Sequence, residues 1–274
     1  MTADNGTPNA VGWQRKEESS GIVTFRLASW SNYFDFLEAE LFHESIKSRH
    51  KYIWRGQRTN WPLRSSLDRL FKKLNLSELE TLESLTAEHL ESFKFATRGR
   101  RGLNPAKLLE NEWWALGQHF GLATPLLDWT RSPFAGAYFA FEELTTEAIE
   151  YRIVYGLDQN AVSQRNSELD ENESYEHGRP PVLEFFDPMS DENPRLVSQG
   201  GIFTRAPIGT SVEQWVEGAF ANASGSVLLK IEIPNNDRLA CLRALNRMNI
   251  NHLSLFPDLS GASRSTNLKL EIDL

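Results

Sequence analysis

Polar side chains that could bind an anion stand where a short apolar strand is followed by an apolar helix. The segment Leu108–Phe141 has the pattern of a helix, a turn, a strand and a second helix, and Asp128, Thr130 and Arg131 precede that second helix. Ser132-Pro133 is a typical helix start, with the serine as N-cap and proline in the first turn. Helix N-termini favour anions, because their backbone N–H groups and dipole are electropositive. We therefore expect this junction to hold a phosphate or another anion.

A second set of candidates follows the short apolar strand predicted at residues 52–54. Trp54 leads into Arg55, Gly56 and Gln57. The forked guanidinium group of arginine suits a phosphate or pyrophosphate, and Gln57 could line the same cleft. The alternative is a structural role for Arg55, since buried arginines are nearly always paired. Alternation along a strand could also turn Gln57 away from the cleft.

Three other residues have an acid–base function and a structural role as open alternatives. His119 could donate to a ribose hydroxyl or a base edge if it faces a cleft, or it could be a packed core histidine. Asp128 could instead orient its turn, and Asp258 could form a turn with Gly261. The histidines and the single Cys241 show no metal-ligand spacing, so no metal is expected. A Ser-His-Asp elbow and a glycine-rich phosphate loop are also missing from the sequence.

The pattern of apolar residues predicts one α+β domain with a split or mixed antiparallel sheet flanked by helices. The clearest strand is Ser226–Ile233, and Gly121 is placed to end the helix that precedes Asp128. Residues 1–20 are polar and without periodicity, so we predict a disordered tail before a domain at 21–274. Residues 158–180 are predicted to form a long loop.

Composition narrows the class of protein. The chain has 274 residues, and 40% of them are hydrophobic, as in ordinary globular proteins. It has no apolar run near the roughly twenty residues that cross a membrane, no export signal, and one cysteine. These features predict a soluble cytoplasmic protein.

The charge is unevenly distributed. A net charge of −8 argues against a protein that coats nucleic acid non-specifically. Arg98, Arg100 and Arg101 nevertheless lie in a run without acidic residues, whereas the stretch 168–176 is strongly acidic. The basic run is interpreted as a nucleic-acid phosphate site or as solvated surface. The acidic run is interpreted as an exposed insertion or as solvated surface.

Four motifs resemble those of the FRG domain family, in the same order along the chain. They span about residues 22–263 and are WRGQ followed by WPLRSSL (54–57 and 61–67), EWWALGQHFGL running into LDWTRSP (112–122 and 127–133), SQGGIFT (198–204) and LFPDLSG (255–261). The sequence is therefore identified as similar to this family throughout that span.

A weaker resemblance links the chain to mono-ADP-ribosyltransferases of the Arg-Ser-Glu type. It implies an ADP-ribosyltransferase-like fold and NAD as substrate, with Arg55 on the NAD phosphates and Trp54, Gly56 and Gln57 beside them. Thr130, with Asp128 and the cofactor-binding Arg131, would brace the nicotinamide half, and His119 and Gln199 would complete the catalytic set. The sequence departs from the pattern at Gln199, where a Glu-x-Glu element is expected. Since an amide cannot act as a general base, the base would be another carboxylate, with Asp128 and Asp258 as first candidates.

Three functions follow as hypotheses. The first is an NAD-dependent ADP-ribosyltransferase toxin or anti-phage effector that modifies nucleic acid, RNA before DNA, or alternatively protein. A toxin would need a neutralising antitoxin or inhibitor, for which the acidic run is a candidate surface. The second is a metal-dependent nuclease that uses Asp128 and Asp258 around a divalent ion. The third is a non-catalytic module that senses nucleotides or nucleic acid.

Overall fold

The computed structural model describes residues 12–42, 51–170, 181–188, 194–221 and 225–273. In this part of the chain eight strands form one sheet: β1 (Trp13–Ser19), β2 (Ile22–Leu27), β3 (Tyr52–Gln57), β4 (Leu126–Thr130), β5 (Tyr151–Asp158), β6 (Glu184–Phe186), β7 (Gly201–Arg205) and β8 (Leu228–Pro234). Their spatial order is β1-β2-β8-β5-β3-β4-β7-β6. Strands β2 and β8 run parallel, and the other neighbours are antiparallel. The prediction of an α+β fold with a mixed sheet is confirmed.

Helices cover both faces of this sheet. They are α1 (Tyr33–Leu37), α2 (Ser66–Lys73), α3 (Leu79–Ala96), α4 (Glu110–His119), α5 (Pro133–Phe141), α6 (Gln159–Asp170), α7 (Pro194–Gln199), α8 (Val212–Ala219), α9 (Arg238–Arg247), α10 (His252–Leu255) and α11 (Leu259–Asp273). Among the described residues, no helix is both long enough and apolar enough to cross a membrane.

Strand alternation divides the core between the two faces of the sheet. Trp54 and Val154 belong to a cluster with the apolar residues of α5 and α9, whereas their neighbours Ile53 and Tyr155 pack in a second cluster that includes Trp215 of α8. Successive residues of a strand point to opposite faces, which explains why neighbours in the chain join different clusters. A third cluster lies between α2, α3 and α4.

Helix α5 approaches β3 so closely that the contact requires glycine. A Cβ atom on Gly56 would lie 1.9 Å from the carbonyl oxygen of Gly136 and 2.4 Å from the backbone nitrogen of Ala140. The indole of Trp54 lies over Gly156, where an added Cβ would meet the ring at 2.9 Å. Because Gly56, the glycine of the Trp-Arg-Gly motif, has no side chain, α5 can pack directly against β3.

The structure differs from the sequence prediction at both ends and in the middle. The tail predicted at 1–20 is wrong for Trp13–Ser19, which pairs with β2. Trp13 packs against the core, and the polar residues after it are tolerated because an edge strand needs one partner only. Residues 1–11 lie outside the described residues. The predicted loop at 158–180 begins with the helix α6, and α11 replaces a simple turn after Asp258. The part of the acidic run at 171–176 also lies outside the described residues.

Candidate functional site

A cavity of about 400 Å³ opens where β3, β4, α4 and α5 meet. Its walls combine aromatic rings with a small number of polar groups: Trp54, Arg55, Gly56, Ala115, Gln118, His119, Asp128, Trp129, Thr130, Phe139, Glu142, Gln199, Phe203 and Phe256. This volume and this mixture are typical of sites for small molecules. The cavity brings together seven of the residues singled out in the sequence, which come from three separate motifs.

The position of Arg55 follows from the way in which β3 and β4 meet. The two strands pair at one position, Trp54 with Thr130. Beyond it the Arg55 guanidinium bonds to β4, with Nη1 donating to the carbonyl oxygen of Asp128 at 2.7 Å. The same nitrogen lies 3.6 Å from the Asp128 carboxylate. Arg55 is therefore held by a backbone carbonyl and a carboxylate at the cavity wall.

Arg55 also keeps hydrogen-bonding capacity. Its Nε is buried and has no hydrogen-bond partner within the described part of the chain. Burial lowers the pKa of Arg55, and the carboxylate of Asp128 opposes this shift. A guanidinium group stays charged at neutral pH even so. A half-buried positive charge in the wall of a cavity is suited to an anionic ligand.

Asp128 is oriented by a chain of side-chain hydrogen bonds from α4. The hydroxyl of the fully buried Thr124 donates to the Gln118 carbonyl oxygen, and the Gln118 amide nitrogen donates to Oδ1 of Asp128. The Asp128 side chain is 60% exposed. Gln118 thus fixes the direction of an otherwise solvent-facing carboxylate. Gln118 stands in the last turn of α4. Gly121 follows this helix and has a φ of +89°, the left-handed conformation expected of the glycine that was predicted to end it.

Thr130 and Gln199, 69 residues apart, meet at the cavity wall. The Thr130 hydroxyl donates to the backbone carbonyl of Gln199 at 2.6 Å and accepts from the backbone N–H of Ser132 at 3.1 Å. The Gln199 amide nitrogen donates to the carbonyl oxygen of Leu255 at 3.2 Å. Both side chains therefore brace backbone segments, and Thr130 is almost fully buried.

A second carboxylate, Glu142, reaches the cavity from the end of α5. Its Oε2 lies 3.1 Å from Nδ1 of His252, and the same nitrogen lies 3.1 Å from the Tyr138 hydroxyl. Burial raises the pKa of Tyr138, and the charge of Glu142 raises it further, so this phenol is neutral. The His252 ring stacks on Phe256 at 4.1 Å between centroids. Glu142 is the carboxylate that the sequence prediction missed.

Some predicted residues lie elsewhere. Arg131 is absent from the lining, because it donates to the Gly201 carbonyl oxygen and pairs with Asp187 at 2.7 Å. Gln57 is buried and also does not line the cavity, although its Oε1 has no hydrogen-bond partner in the described chain. Asp258 accepts a hydrogen bond from the backbone N–H of Gly261 at 2.8 Å, at the start of α11. It does not join Asp128 in the cavity wall.

Arg98, Arg100 and Arg101 lie after the C-terminal end of α3, away from the cavity lining. Each donates to a main-chain carbonyl, those of Phe95, Ala96 and Ala106 respectively. Within the described residues, no group of three or more His, Cys, Asp or Glu side chains is arranged to hold a metal ion.

Sequence reasoning missed Gln118, Glu142 and Phe256 as functional candidates. Gln118 and Phe256 stand inside the quoted motifs EWWALGQHFGL and LFPDLSG, so the motifs themselves carried a signal. Glu142 is the first charged residue after the apolar run of α5, which is the point where a helix leaves the core.

No curated protein and no solved structure matches this chain. Residues 50–148 match the family model of the FRG domain. This segment carries Arg55, Gln118, Asp128 and Glu142, so the part of the chain that is similar to the FRG domain includes much of the cavity wall.

Proposed function

We propose that the cavity binds NAD and that the protein is an ADP-ribosyltransferase with an ADP-ribosyltransferase-like arrangement of β3 and β4. The observation that carries the proposal is the meeting of one half-buried guanidinium group, several aromatic rings and two carboxylates in a single cavity. NAD presents a pyrophosphate and two planar rings, the adenine and the cationic nicotinamide. Each of these has a chemically matching group in the wall.

Arg55 would bind the pyrophosphate. The guanidinium is pre-positioned by its hydrogen bond to the carbonyl oxygen of Asp128, so little side-chain entropy is lost on binding. The rings of Phe139 and Phe256, 6.1 Å apart in an edge-to-face arrangement, would contact a planar heterocycle.

Glu142 would supply the carboxylate that Gln199 cannot. In the transfer, the bond between ribose C1′ and the nicotinamide nitrogen breaks, and its electron pair neutralises that nitrogen. The acceptor forms a bond to C1′ and loses a proton. A carboxylate stabilises the positive charge that develops on the ribose and can accept the acceptor's proton. The contact with His252 holds the Glu142 side chain in place.

The test is incubation of the purified chain with NAD labelled in the adenylate half, together with separate RNA, DNA and protein pools. Label should enter one pool with release of an equal amount of nicotinamide, and EDTA should not change the rate. Arg55→Ala should abolish transfer while keeping its cooperative unfolding. Arg131→Ala is the matched control and should retain transfer. Its arginine pairs with Asp187 and lies outside the cavity lining.

A second readout separates binding from chemistry. Saturating NAD should raise the melting temperature of the wild type and of Arg131→Ala, but not that of Arg55→Ala. No label in any pool, no nicotinamide release and no thermal shift would refute the transferase. Activity on nucleic acid that EDTA removes would favour the metal-dependent nuclease instead.

A further inference from the structure

A second, more apolar depression lies on the other side of α4. This α3–α4 groove has a volume of about 540 Å³ and is lined by Phe93, Ala96, Thr97, Arg100, Arg101, Leu116 and Phe120. Its floor is aromatic and aliphatic, and two arginines stand at its rim. Phe120 is 72% exposed, so an aromatic side chain stands open to solvent at the groove.

The run of sequence that lines one side of the groove is basic, although its Lys94 is paired with Glu91 at 2.7 Å. Five basic residues and no acidic residue occur between positions 92 and 109: Lys94, Arg98, Arg100, Arg101 and Lys107. The chain as a whole carries a net charge of −8. A local positive field on an acidic protein attracts a polyanion to this surface in particular.

Packing accounts for the arginines in part. Arg100 Nη1 donates to the Ala96 carbonyl oxygen at 2.6 Å, and the Arg101 guanidinium lies 4.7 Å from the centroid of the Trp113 ring. These contacts fix the rim. They leave unexplained why Phe120 turns an apolar ring outward beside the rim.

The groove adjoins the NAD cavity through the last turn of α4. Ala115 and His119 line the cavity, whereas Leu116 and Phe120 line the groove. The rings of His119 and Phe120 meet edge to face, with centroids 4.8 Å apart. A planar group stacked on Phe120 would therefore lie one ring away from the cavity.

We propose that the α3–α4 groove binds an unpaired nucleotide of single-stranded nucleic acid, with the base on Phe120 and the flanking phosphates on Arg100 and Arg101. Aromatic rings stack on the exposed faces of unpaired bases, while arginines follow the backbone. In a duplex these base faces are covered by neighbouring pairs, so the groove selects single strands. A role of the bound strand as the acceptor of ADP-ribose would rest on the proposed transferase function. The binding site itself does not rest on that function.

The test measures binding without NAD. Fluorescence anisotropy would follow the full chain with labelled single strands of ~12 nucleotides, as RNA and as DNA, and with the matching duplexes. Phe120→Ala should weaken single-strand binding by about tenfold and spare the residual electrostatic binding. Arg100→Ala should reduce the slope of log affinity against log salt by about 0.7, the value for one lost phosphate contact on a single strand.

Matched controls lie on other faces of the molecule. Phe34→Ala removes an exposed phenylalanine of α1, and Arg247→Ala removes an exposed arginine of α9. Neither should change affinity or salt slope. Because the strands are added without NAD, a failure of the NAD hypothesis leaves this measurement intact.

Three results would overturn the proposed stacking site. Equal affinity for duplex and single strand, or an unchanged affinity of a folded Phe120→Ala, would overturn the stacking site. Displacement of the strand by polyglutamate of equal charge at equal concentration would also overturn it. That outcome would identify the groove as a docking surface for acidic protein segments.

Discussion

The substitution Gly56→Ala tests whether the glycine of the Trp-Arg-Gly motif serves helix packing or ligand approach. The new Cβ would lie 1.9 Å from the Gly136 carbonyl oxygen and 2.4 Å from the Ala140 backbone nitrogen, whereas ordinary contacts begin at 3.4 Å. Both obstructing atoms belong to the backbone of α5, so no side-chain rotation relieves the clash. Helix α5 would have to move by roughly 1.5 Å.

Such a movement is costly because α5 is packed between β3 and α9. Overpacking of a core costs about 1–3 kcal/mol, and the backbone contacts place this substitution at the upper end of that range. A loss of about 3 kcal/mol corresponds to a fall in melting temperature of roughly 6–12 °C for a chain of this size. Since Glu142 directly follows α5, the activity should fall together with the stability.

The assay is denaturant unfolding of the wild type, Gly56→Ala and the control Gly218→Ala. An added Cβ on Gly218 of α8 meets no atom within 4 Å, so this variant should be unchanged or more stable by up to about 1 kcal/mol. If Gly56→Ala stays within about 1 kcal/mol of the wild type yet loses the NAD-induced thermal shift, the packing argument is refuted. The glycine would then serve ligand approach.

Other predictions concern single groups. Glu142→Gln should lower kcat for transfer by about 100-fold or more while the NAD thermal shift persists; Asp128→Asn should lower it by less than about tenfold, because Asp128 is largely exposed and tied to Gln118. The reverse ranking in steady-state kinetics would make Asp128 the base. Cys241 is fully buried, and burial raises the pKa of its thiol, so it remains protonated at mildly alkaline pH. Iodoacetamide should therefore leave it unmodified in the native chain and alkylate it in denaturant, as mass spectrometry would record; rapid native modification would contradict this. Induced expression in bacteria should slow growth for the wild type and not for Arg55→Ala, and equal inhibition by both would count against an NAD-dependent toxin.

Local signals in the sequence predicted the elements that carry the cavity. The serine and proline before α5 form the expected N-cap, with the Ala135 N–H donating to the Ser132 hydroxyl at 3.2 Å. The alternating run at β8 and the apolar runs at β3 and β4 gave strands at the expected positions. These signals are reliable because caps, turns and periodicity depend on residues close together in the chain. Trp13–Ser19 and Gln159–Asp170 lack such signals, since polar edge strands and exposed helices carry little periodicity.

Neighbouring residues of one motif received different roles, and the sequence does not distinguish them. Thr130 enters the cavity wall, whereas Arg131 turns toward Asp187. Arg55 lines the cavity, whereas Gly56 accommodates α5. Each direction depends on strand register and on which helix covers which face, and both are set by long-range packing.

The sequence by itself determined the α+β class, the elements around Asp128, and the arginine most suited to a phosphate, because residue chemistry and local periodicity are written in the chain. The tertiary structure decided which of these groups meet. It joined Thr130 to Gln199 across 69 positions and brought Glu142 to the cavity wall from the end of a buried helix. Such meetings result from the way in which the sheet and its helices bury their apolar faces, and no single segment encodes them.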